Sequence, residues 1–222
     1  MPRSSAKAAL LTPRKMPIKT SITMPHTLSK RFMENPRVVI ILSGKRKGGK
    51  DYIANFLIER FGAEKAVIIR LSGPLKERYA LENNLDYNKL LEASEYKEQF
   101  REKMIKWGED IRNRDPGYFC RHAILQSEGK SRPIWIVSDA RRKTDIDYFQ
   151  NHYPDVTHTV RIWANDSVRM KRGWKFTEGV DDVESECGLD DYNKWSFTLC
   201  NDTHKHMEED IQKVIDVISA KC

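Results

Sequence analysis

The chain alternates between short apolar runs and segments in which apolar residues recur at helical spacing. The apolar runs predict five strands, at residues 38–43, 66–71, 133–138, 157–163 and 195–200. The segments of helical spacing predict helices at residues 50–61, 75–83, 94–113, 117–126, 167–172 and 204–220. A capping box at residues 144–147 predicts the start of one further helix. This order predicts an α/β fold with a five-stranded parallel sheet flanked by helices.

A glycine-rich basic turn separates the first predicted strand from the first predicted helix. Its spacing from Gly44 to Gly49 and Lys50 fits G-x-x-x-x-G-K, the pattern of a phosphate-binding loop. Glycines let the backbone approach a phosphate closely, and the start of the following helix presents free N–H groups to it. We therefore predict an ATP site in which Lys50 reaches the β- and γ-phosphates; a solvated glycine-rich turn is the alternative. The residues that form the site are Lys45, Arg46, Lys47, Gly48, Gly49, Lys50 and Asp51.

Acidic residues stand at two positions where such a site needs a metal ligand. Asp51 replaces the Ser or Thr that normally follows the loop lysine. Its carboxylate can bind Mg²⁺ directly or through water, hold Lys50, or accept a hydrogen bond from the attacking group. Simple stabilisation of the helix N-terminus is the alternative. Asp139 ends the third predicted strand, where a Walker-B acid would hold a water of Mg²⁺.

Basic residues cluster again after the third strand and in the long helical stretch that precedes it. Arg141 and Arg142 can clamp a second phosphate through forked hydrogen bonds, with a solvated pair at a helix start as the alternative. Lys97 and Arg101 lie four residues apart, hence on one face of a helix. Because acids alternate with these cations, a salt-bridged surface helix is an equally good interpretation of that stretch.

Basic residues before Gly173 introduce an acidic segment that contains further glycines. A cation followed by such a segment fits a lid that closes over transferring phosphates, which we place at about residues 165–191. The acids are too irregularly spaced for a calcium-binding loop, and we expect them to form the solvated surface of the lid. They are Asp181, Asp182, Glu184, Glu186, Asp190 and Asp191.

Positive charge is distributed unevenly along the 222 residues, whose formal net charge is +7. Residues 1–33 carry seven of the 39 Lys and Arg and none of the 32 Asp and Glu, so the remainder has 32 of each. A neutral remainder removes the main argument for nucleic-acid binding. No apolar run approaches the roughly 20 residues that a membrane span requires. We therefore expect a small-molecule enzyme that binds neither nucleic acid nor membrane.

The first 36 residues contain five prolines and show no apolar periodicity. We predict a disordered basic extension at residues 1–36, followed by the folded domain at residues 37–222. A mitochondrial targeting segment is the alternative, which the prolines disfavour because they disrupt the amphipathic helix that such a segment needs. Met33 offers an internal start. The four scattered cysteines indicate reduced thiols and hence a cytoplasmic protein.

Taken together, these motifs resemble the animal-type phosphomevalonate kinase family over roughly residues 37–220. The resemblance is carried by residues 43–51, 70–76, 96–98, 107–109, 115–121, 137–142 and 172–190. The loop with its Lys50-Asp51 pair and the acidic stretch are distinctive of that family. Asp51 is the family's own form of the loop.

The resemblance implies a P-loop kinase fold, with a helical substrate-binding insert at about residues 75–130 and a lid. It implies transfer of a phosphoryl group from ATP, with Mg²⁺, to (R)-5-phosphomevalonate in the mevalonate pathway. The implied catalytic residues are Arg46, Lys50, Asp51, Arg142 and Arg172. Arg172 and Asp202 join the loop residues in binding the nucleotide. The implied substrate-binding residues are Lys76, Lys97, Arg101, Arg112, Arg121, Arg141, Arg142, Arg161 and Asn201.

The end of the chain departs from the family pattern. Vertebrate members carry a C-terminal tripeptide similar to S-K-L, which directs peroxisomal import, whereas this sequence ends Ala220-Lys221-Cys222. This ending disfavours import by that route. We expect a cytoplasmic monomer.

Overall fold

An unbroken run of apolar residues makes the first strand the centre of the sheet. Every residue of β1 (Val38–Ser43) is buried. It pairs in parallel with β3 (Ile134–Val137) on one side and with β4 (Thr157–Trp163) on the other. Parallel pairing of β2 (Ala66–Ile69) with β3 and of β5 (Phe197–Cys200) with β4 completes the sheet. The order β2-β3-β1-β4-β5 confirms the predicted five-stranded parallel sheet.

The computed structural model describes residues 36–92, 94–127 and 131–222. These residues all belong to one compact unit. The predicted basic extension, its targeting alternative and the internal start at Met33 lie outside the described residues, apart from Pro36. Parts of the predicted insert, at Ala93 and residues 128–130, also lie outside them.

Along the chain, each strand is followed by one or more helices. In the described residues they are α1 (Lys50–Phe61), α2 (Ser72–Asn83), α3 (Tyr87–Leu91), α4 (Glu95–Arg114), α5 (Tyr118–Gln126), α6 (Lys143–His152), α7 (Asp166–Lys171), α8 (Glu184–Cys187) and α9 (His204–Lys221). The predicted bounds of β1, α1 and β4 are confirmed. The sequence missed α3 and α8, which are short. Among the described helices, none combines the length and apolar character that crossing a bilayer requires.

Two apolar clusters of the described residues are separate from each other. The larger one joins the sheet to α1, through Ile53 and Leu57, and to α9, through Met207 and Ile211. The smaller one lies among α2, α3 and α4 and contains Tyr79, Ala80, Leu90 and Met104. Helices α2, α3 and α4 therefore share a small core of their own, distinct from the cluster that joins the sheet to α1 and α9.

The start of α6 differs from the predicted capping box at residues 144–147. The N-cap is Arg142, two residues before the predicted N-cap Thr144, and the helix begins at Lys143. The carboxylate of Asp145 accepts hydrogen bonds from the backbone N–H groups of Arg141, at 2.9 Å, and Arg142, at 3.1 Å. The backbone is still extended at Arg142, so Asp145 occupies the capping position that the sequence assigned to Asp147.

We expect Gly44→Ala to destabilise the protein and Gly73→Ala to leave its stability unchanged or raise it. A Cβ on Gly44 would lie 2.3 Å from the carbonyl oxygen of Ile162 in β4, which forces backbone to move. A Cβ on Gly73, in α2, meets nothing within 4 Å. Gly44→Ala should lower the free energy of unfolding in urea by about 2 kcal/mol. Equal unfolding midpoints for Gly44→Ala and wild type would contradict the close approach of the loop to β4.

Candidate active site

The predicted phosphate loop joins the carboxyl end of β1 to the first turn of α1. Its backbone reverses direction through left-handed conformations at Lys47, with φ 59°, and Gly49, with φ 99°. The N–H of Gly48 donates to the carbonyl of Lys45 at 3.1 Å. Ligands of parallel sheets bind at this carboxyl edge, and the free N–H groups at a helix N-terminus favour an anion. The loop therefore has the conformation that a phosphate site requires.

Asn201 and Arg172 cover one side of this loop. The amide nitrogen of Asn201 donates to the carbonyl of Gly48 at 2.9 Å, and a Cβ on Gly49 would lie 2.0 Å from that nitrogen. The guanidinium of Arg172 donates to the carbonyl of Asn201 at 2.5 Å and lies 3.4 Å from the carbonyls of Lys47 and Gly48. Arg172 is thus placed where a loop-bound nucleotide would lie. Asn201, assigned from the sequence to the substrate, shares that side of the loop.

Lys50 folds back onto the loop that precedes it. Its ammonium donates to the carbonyl of Gly44 and, at 3.3 Å, to that of Lys45. Burial and, to a smaller extent, the nearby positive charge of Arg141 lower the pKa of Lys50 to about 7, against the raising effect of Asp51 and Asp139. The lysine can therefore gain a full charge when an anion arrives.

The two acids predicted as metal ligands differ in their surroundings. Asp51 is exposed in the first turn of α1. Both carboxylate oxygens of Asp139 accept backbone N–H groups, from Leu71 at 2.7 Å and Ser72 at 3.0 Å. These bonds explain why β2 ends at Ile69, before its predicted end at residue 71, and fix the start of α2. Asp139 thus stabilises a turn, whereas the carboxylate of Asp51 is accessible from solvent.

Mg²⁺ usually retains several waters and binds one or two carboxylates together with substrate phosphates. Within the described ranges, no group of three or more His, Cys, Asp or Glu is arranged to hold a metal ion. An exposed carboxylate next to the phosphate loop, at Asp51, fits a metal that the nucleotide phosphates help to hold. The metal-binding assignments of Asp51 and Asp139 stay predictions.

The charges of four predicted substrate-binding cations act on the pKa values of two of them, Lys76 and Lys97. Burial, together with the smaller effects of the charges of Lys76, Arg101 and Arg141, lowers the pKa of Lys97 in α4 to about 8. Burial likewise lowers the pKa of Lys76 in α2, with contributions from Arg101 and Arg141. The four cations come from α2, α4 and the loop after β3, so the fold brings them together. Arg101 also forms an ion pair with Glu98, at 2.5 Å.

Arg112 and Arg121, also predicted to bind substrate, have different partners. The guanidinium of Arg112 lies 4.6 Å from the ring centroid of Phe119 and 3.9 Å from the carboxylate of Asp145. Arg121 pairs with Asp115 in the turn before α5. Asp145 joins Arg112 to the backbone N–H of Arg141, whereas the ion pairs and hydrogen bonds of the described residues do not join Arg121 to the other four cations. Their part in substrate binding stays a prediction.

Arg142 and Arg161 are held close to the lid segment. Arg142 is buried. Its guanidinium donates two hydrogen bonds to the carboxylate of Glu109, one of them at 3.3 Å, and one to the carbonyl of Glu184 at 2.8 Å. Arg161 donates to Asp190 at 2.9 Å and to the hydroxyl of Ser43 at 3.3 Å. Both arginines therefore connect the sheet edge to residues 184–190.

Two of the six lid acids lie outside the solvated surface that the sequence predicted, whereas the other four are exposed, namely Asp182, Glu184, Asp190 and Asp191. The side chains of Asp181 and Glu186 are each only 3% exposed. Asp181 binds the guanidinium of Arg46 at 3.0 Å, and Glu186 accepts from the N–H of Arg46 and from Arg141. The expectation was wrong for Asp181 and Glu186 because a concentration of cations attracts carboxylates from the same chain.

Sequence reasoning missed Arg169 as part of the site. Its guanidinium donates to the carbonyl of Arg46 at 2.9 Å and lies 3.9 Å from the ring centroid of Trp174. The grouping of Arg169 with Lys171 and Arg172 before Gly173 was the available signal. Arg169 supports the loop from the side of α7.

Asp202, predicted to bind the nucleotide, is occupied locally. Its carboxylate accepts from the backbone N–H of Asn165 at 2.7 Å and from the side-chain amide of the same residue. The contact ties the loop after β5 to the start of α7. Nucleotide binding by Asp202 stays a prediction.

A central strand that leads into a phosphate loop and a sheet of order β2-β3-β1-β4-β5 define a P-loop kinase. A family model described as phosphomevalonate kinase matches residues 42–155. A phosphomevalonate kinase of Drosophila melanogaster is 42% identical over 183 residues, which span 81% of this chain and 94% of the relative. The chain belongs to the phosphomevalonate kinase family. Such membership implies use of a nucleotide and a small-molecule substrate.

Solved structures share the fold at low sequence identity. The crystal structure of TT1252 from Thermus thermophilus is 13% identical, with a TM-score of 0.50, over 82% of this chain and 97% of that one. A gluconokinase from Sinorhizobium meliloti 1021 is also 13% identical, with a TM-score of 0.46, over 84% of this chain and 94% of that one. At such identities the first likeness concerns the fold alone.

The pKa of Lys50 predicts that ATP binding takes up a proton. With a ligand-free pKa of about 7, most Lys50 side chains are neutral at pH 8, and the ATP phosphates raise the pKa again. By linkage, ATP affinity should then fall as the pH rises above 7. Calorimetric titration at pH 8, in buffers of different ionisation enthalpy, measures the uptake. Lys50→Met should remove close to one proton from it; an unchanged uptake in this variant refutes the assignment.

Proposed function

We propose that the protein transfers the γ-phosphoryl group of ATP to (R)-5-phosphomevalonate, which gives (R)-5-diphosphomevalonate and ADP. The reaction belongs to the mevalonate pathway to isoprenoids and sterols. Family membership supports the substrate. The observation that carries the proposal is the convergence of cations from α2, α4 and the loop after β3 on the phosphate loop after β1.

Two groups of residues divide the work of binding. On the nucleotide side, we propose that the loop from Lys45 to Asp51 holds the ATP phosphates while Arg172 closes over them. Asp202 is proposed for the same side. On the acceptor side, we propose that cations bind the phosphate and carboxylate of phosphomevalonate. They are Lys76, Lys97, Arg101, Arg112, Arg121, Arg141, Arg142 and Arg161, with Asn201 at the boundary.

Lys50 and Arg141 stand between the two groups. The charge of Arg141 lowers the pKa of Lys50, so the two side chains lie close together. We propose that Lys50 stabilises the transferred phosphoryl group and that Arg46 and Arg142 assist it. Asp51 would hold Mg²⁺ together with the ATP phosphates, and the metal would neutralise charge on the β- and γ-oxygens.

The acceptor oxygen belongs to a phosphate, which is already a competent nucleophile near neutral pH. No strong general base is therefore required. The difficulty is the repulsion between two highly charged anions, which buried cations offset more strongly than exposed ones do. Fixing both anions from rigid elements brings the reacting oxygens into line. The cations thus supply both the attraction and the alignment.

The state of the cysteines bears on the cellular compartment of the protein. The four cysteines are unpaired, and all of them lie in the described part of the chain. Unpaired thiols are typical of reducing compartments. We propose a cytoplasmic protein, and the monomeric state stays an expectation.

A screen for ADP release tests the proposed reaction directly. The full chain is assayed with ATP and, in turn, phosphomevalonate, mevalonate, shikimate and nucleoside monophosphates. We expect phosphomevalonate to give a kcat/KM at least about 100-fold above the others, since loss of the acceptor phosphate removes several charge-assisted contacts. Lys50→Met should abolish turnover without unfolding the protein. Equal turnover of another acceptor would overturn the proposal.

Substitutions of Arg142 and Arg172 should separate the two halves of the site. We expect Arg142→Ala to raise KM for phosphomevalonate more than KM for ATP, and Arg172→Ala to do the reverse. A change of about tenfold is expected in each affected KM, the effect of one charge-assisted contact. Steady-state kinetics with each substrate varied at saturation of the other measures both. An equal rise in both constants for Arg142→Ala excludes its placement on the acceptor.

A further inference from the structure

Two lid carboxylates each bridge the phosphate loop to an arginine that lies in or just after another strand. Glu186 accepts from the loop N–H of Arg46 with one oxygen and from the guanidinium of Arg141, after β3, with the other. Asp190 accepts from the loop lysine Lys45 at 2.5 Å and from Arg161, in β4, at 2.9 Å. Each acid therefore spans the gap between the nucleotide loop and a predicted acceptor-side arginine.

This bridging position coincides with that of the reacting groups in the proposed function. A phosphoryl group in transfer must lie between the nucleotide loop and the acceptor cations, because it bonds to both substrates in turn. A carboxylate presents two anionic oxygens, and so does one edge of a phosphate. Glu186 and Asp190 thus satisfy, from within the chain, donors that substrate phosphates would otherwise satisfy.

The burial of Glu186 shows that this occupation is part of the fold. Its side chain is 3% exposed, and desolvating a carboxylate is costly unless cations and N–H groups compensate. Arg141 and the N–H of Arg46 provide that compensation. The cations gain as well, because Arg141 is partly buried beside other positive charges, which lower its pKa after the larger effect of desolvation.

The rest of the segment has contacts that displacement of the two acids would leave in place. Asp181 accepts from the indole N–H of Trp174 at 3.1 Å and from the N–H of Thr177 at 2.8 Å, both within the lid. Gly173 and Gly179 adopt positive φ values and have open space around them. Residues 174–181 can therefore keep their structure while Glu186 and Asp190 leave the cations.

We propose that Glu186 and Asp190 are specificity-determining residues, internal counter-anions that a phosphate ligand must displace. In the ligand-free protein they hold the loop and acceptor cations near their working positions. A ligand with several adjacent negative charges replaces both acids, whereas one with a single charge gains too little to do so. This inference rests on the proposed function, since it assigns the bridged space to the phosphates of the two substrates.

Binding of inorganic pyrophosphate to the full chain tests the competition without any turnover. Glu186→Gln and Asp190→Asn each remove one charge with little change of shape, and calorimetry measures their affinities. We expect either variant to bind pyrophosphate about tenfold more tightly than wild type, because more of the protein is then competent to bind. Asp191→Asn, which removes an exposed charge next to Asp190, should bind as wild type does.

A double-mutant cycle separates local competition from a general rise in positive potential. If Glu186 competes for Arg141, the gain from Glu186→Gln should shrink to less than about twofold in an Arg141→Ala background. An undiminished gain, or wild-type or weaker affinity in both single variants, overturns the inference. The pyrophosphate experiment contains no acceptor, so its result is independent of the ADP-release screen. A negative result in that screen would contradict the proposed function and leave the competition by Glu186 and Asp190 untouched.

Discussion

Repulsion between like charges at the carboxyl edge of the sheet is the constraint on which the rest of this structure depends. Lys50 is buried among other cations, Lys97 and Arg141 are partly buried among them, and desolvation with neighbouring charge lowers the pKa of each. A cluster of this kind is stable only when anions lie between its members. In the ligand-free protein the lid provides those anions, and in the proposed reaction the substrates do.

The fold supplies the rigidity that such a cluster needs. The loop leaves the most buried strand of the sheet, and its first glycine contacts the backbone of β4. The carboxylate of Asp145 binds the backbone of Arg141 and Arg142 rather than their side chains. The guanidinium groups are therefore placed by the main chain and remain available to bind other groups. Attraction to a ligand can then change without any change in the core.

Local patterns predicted much of this arrangement, and long-range pairings were beyond them. The spacing of Gly44, Gly49 and Lys50 identified the loop because phosphate binding by backbone N–H groups needs adjacent residues. The helix α3 escaped detection because it is five residues long and has little periodicity. The partners of Glu186 lie 45 and 140 residues away in the chain, and nothing in one sequence indicates which acid meets which base. The sequence therefore placed Glu186 on the solvated surface of the lid.

The separate core of α2, α3 and α4 has a consequence for how the enzyme family diversifies. Lys76 and Lys97 stand on helices that pack around Tyr79 and Met104, and these helices meet the sheet edge through the turn that Asp139 fixes. Substitutions inside this small core can re-space the acceptor cations and leave the cluster beneath the sheet intact. If these cations bind the acceptor as proposed, acceptor recognition and nucleotide recognition are thus carried by modules that can mutate independently.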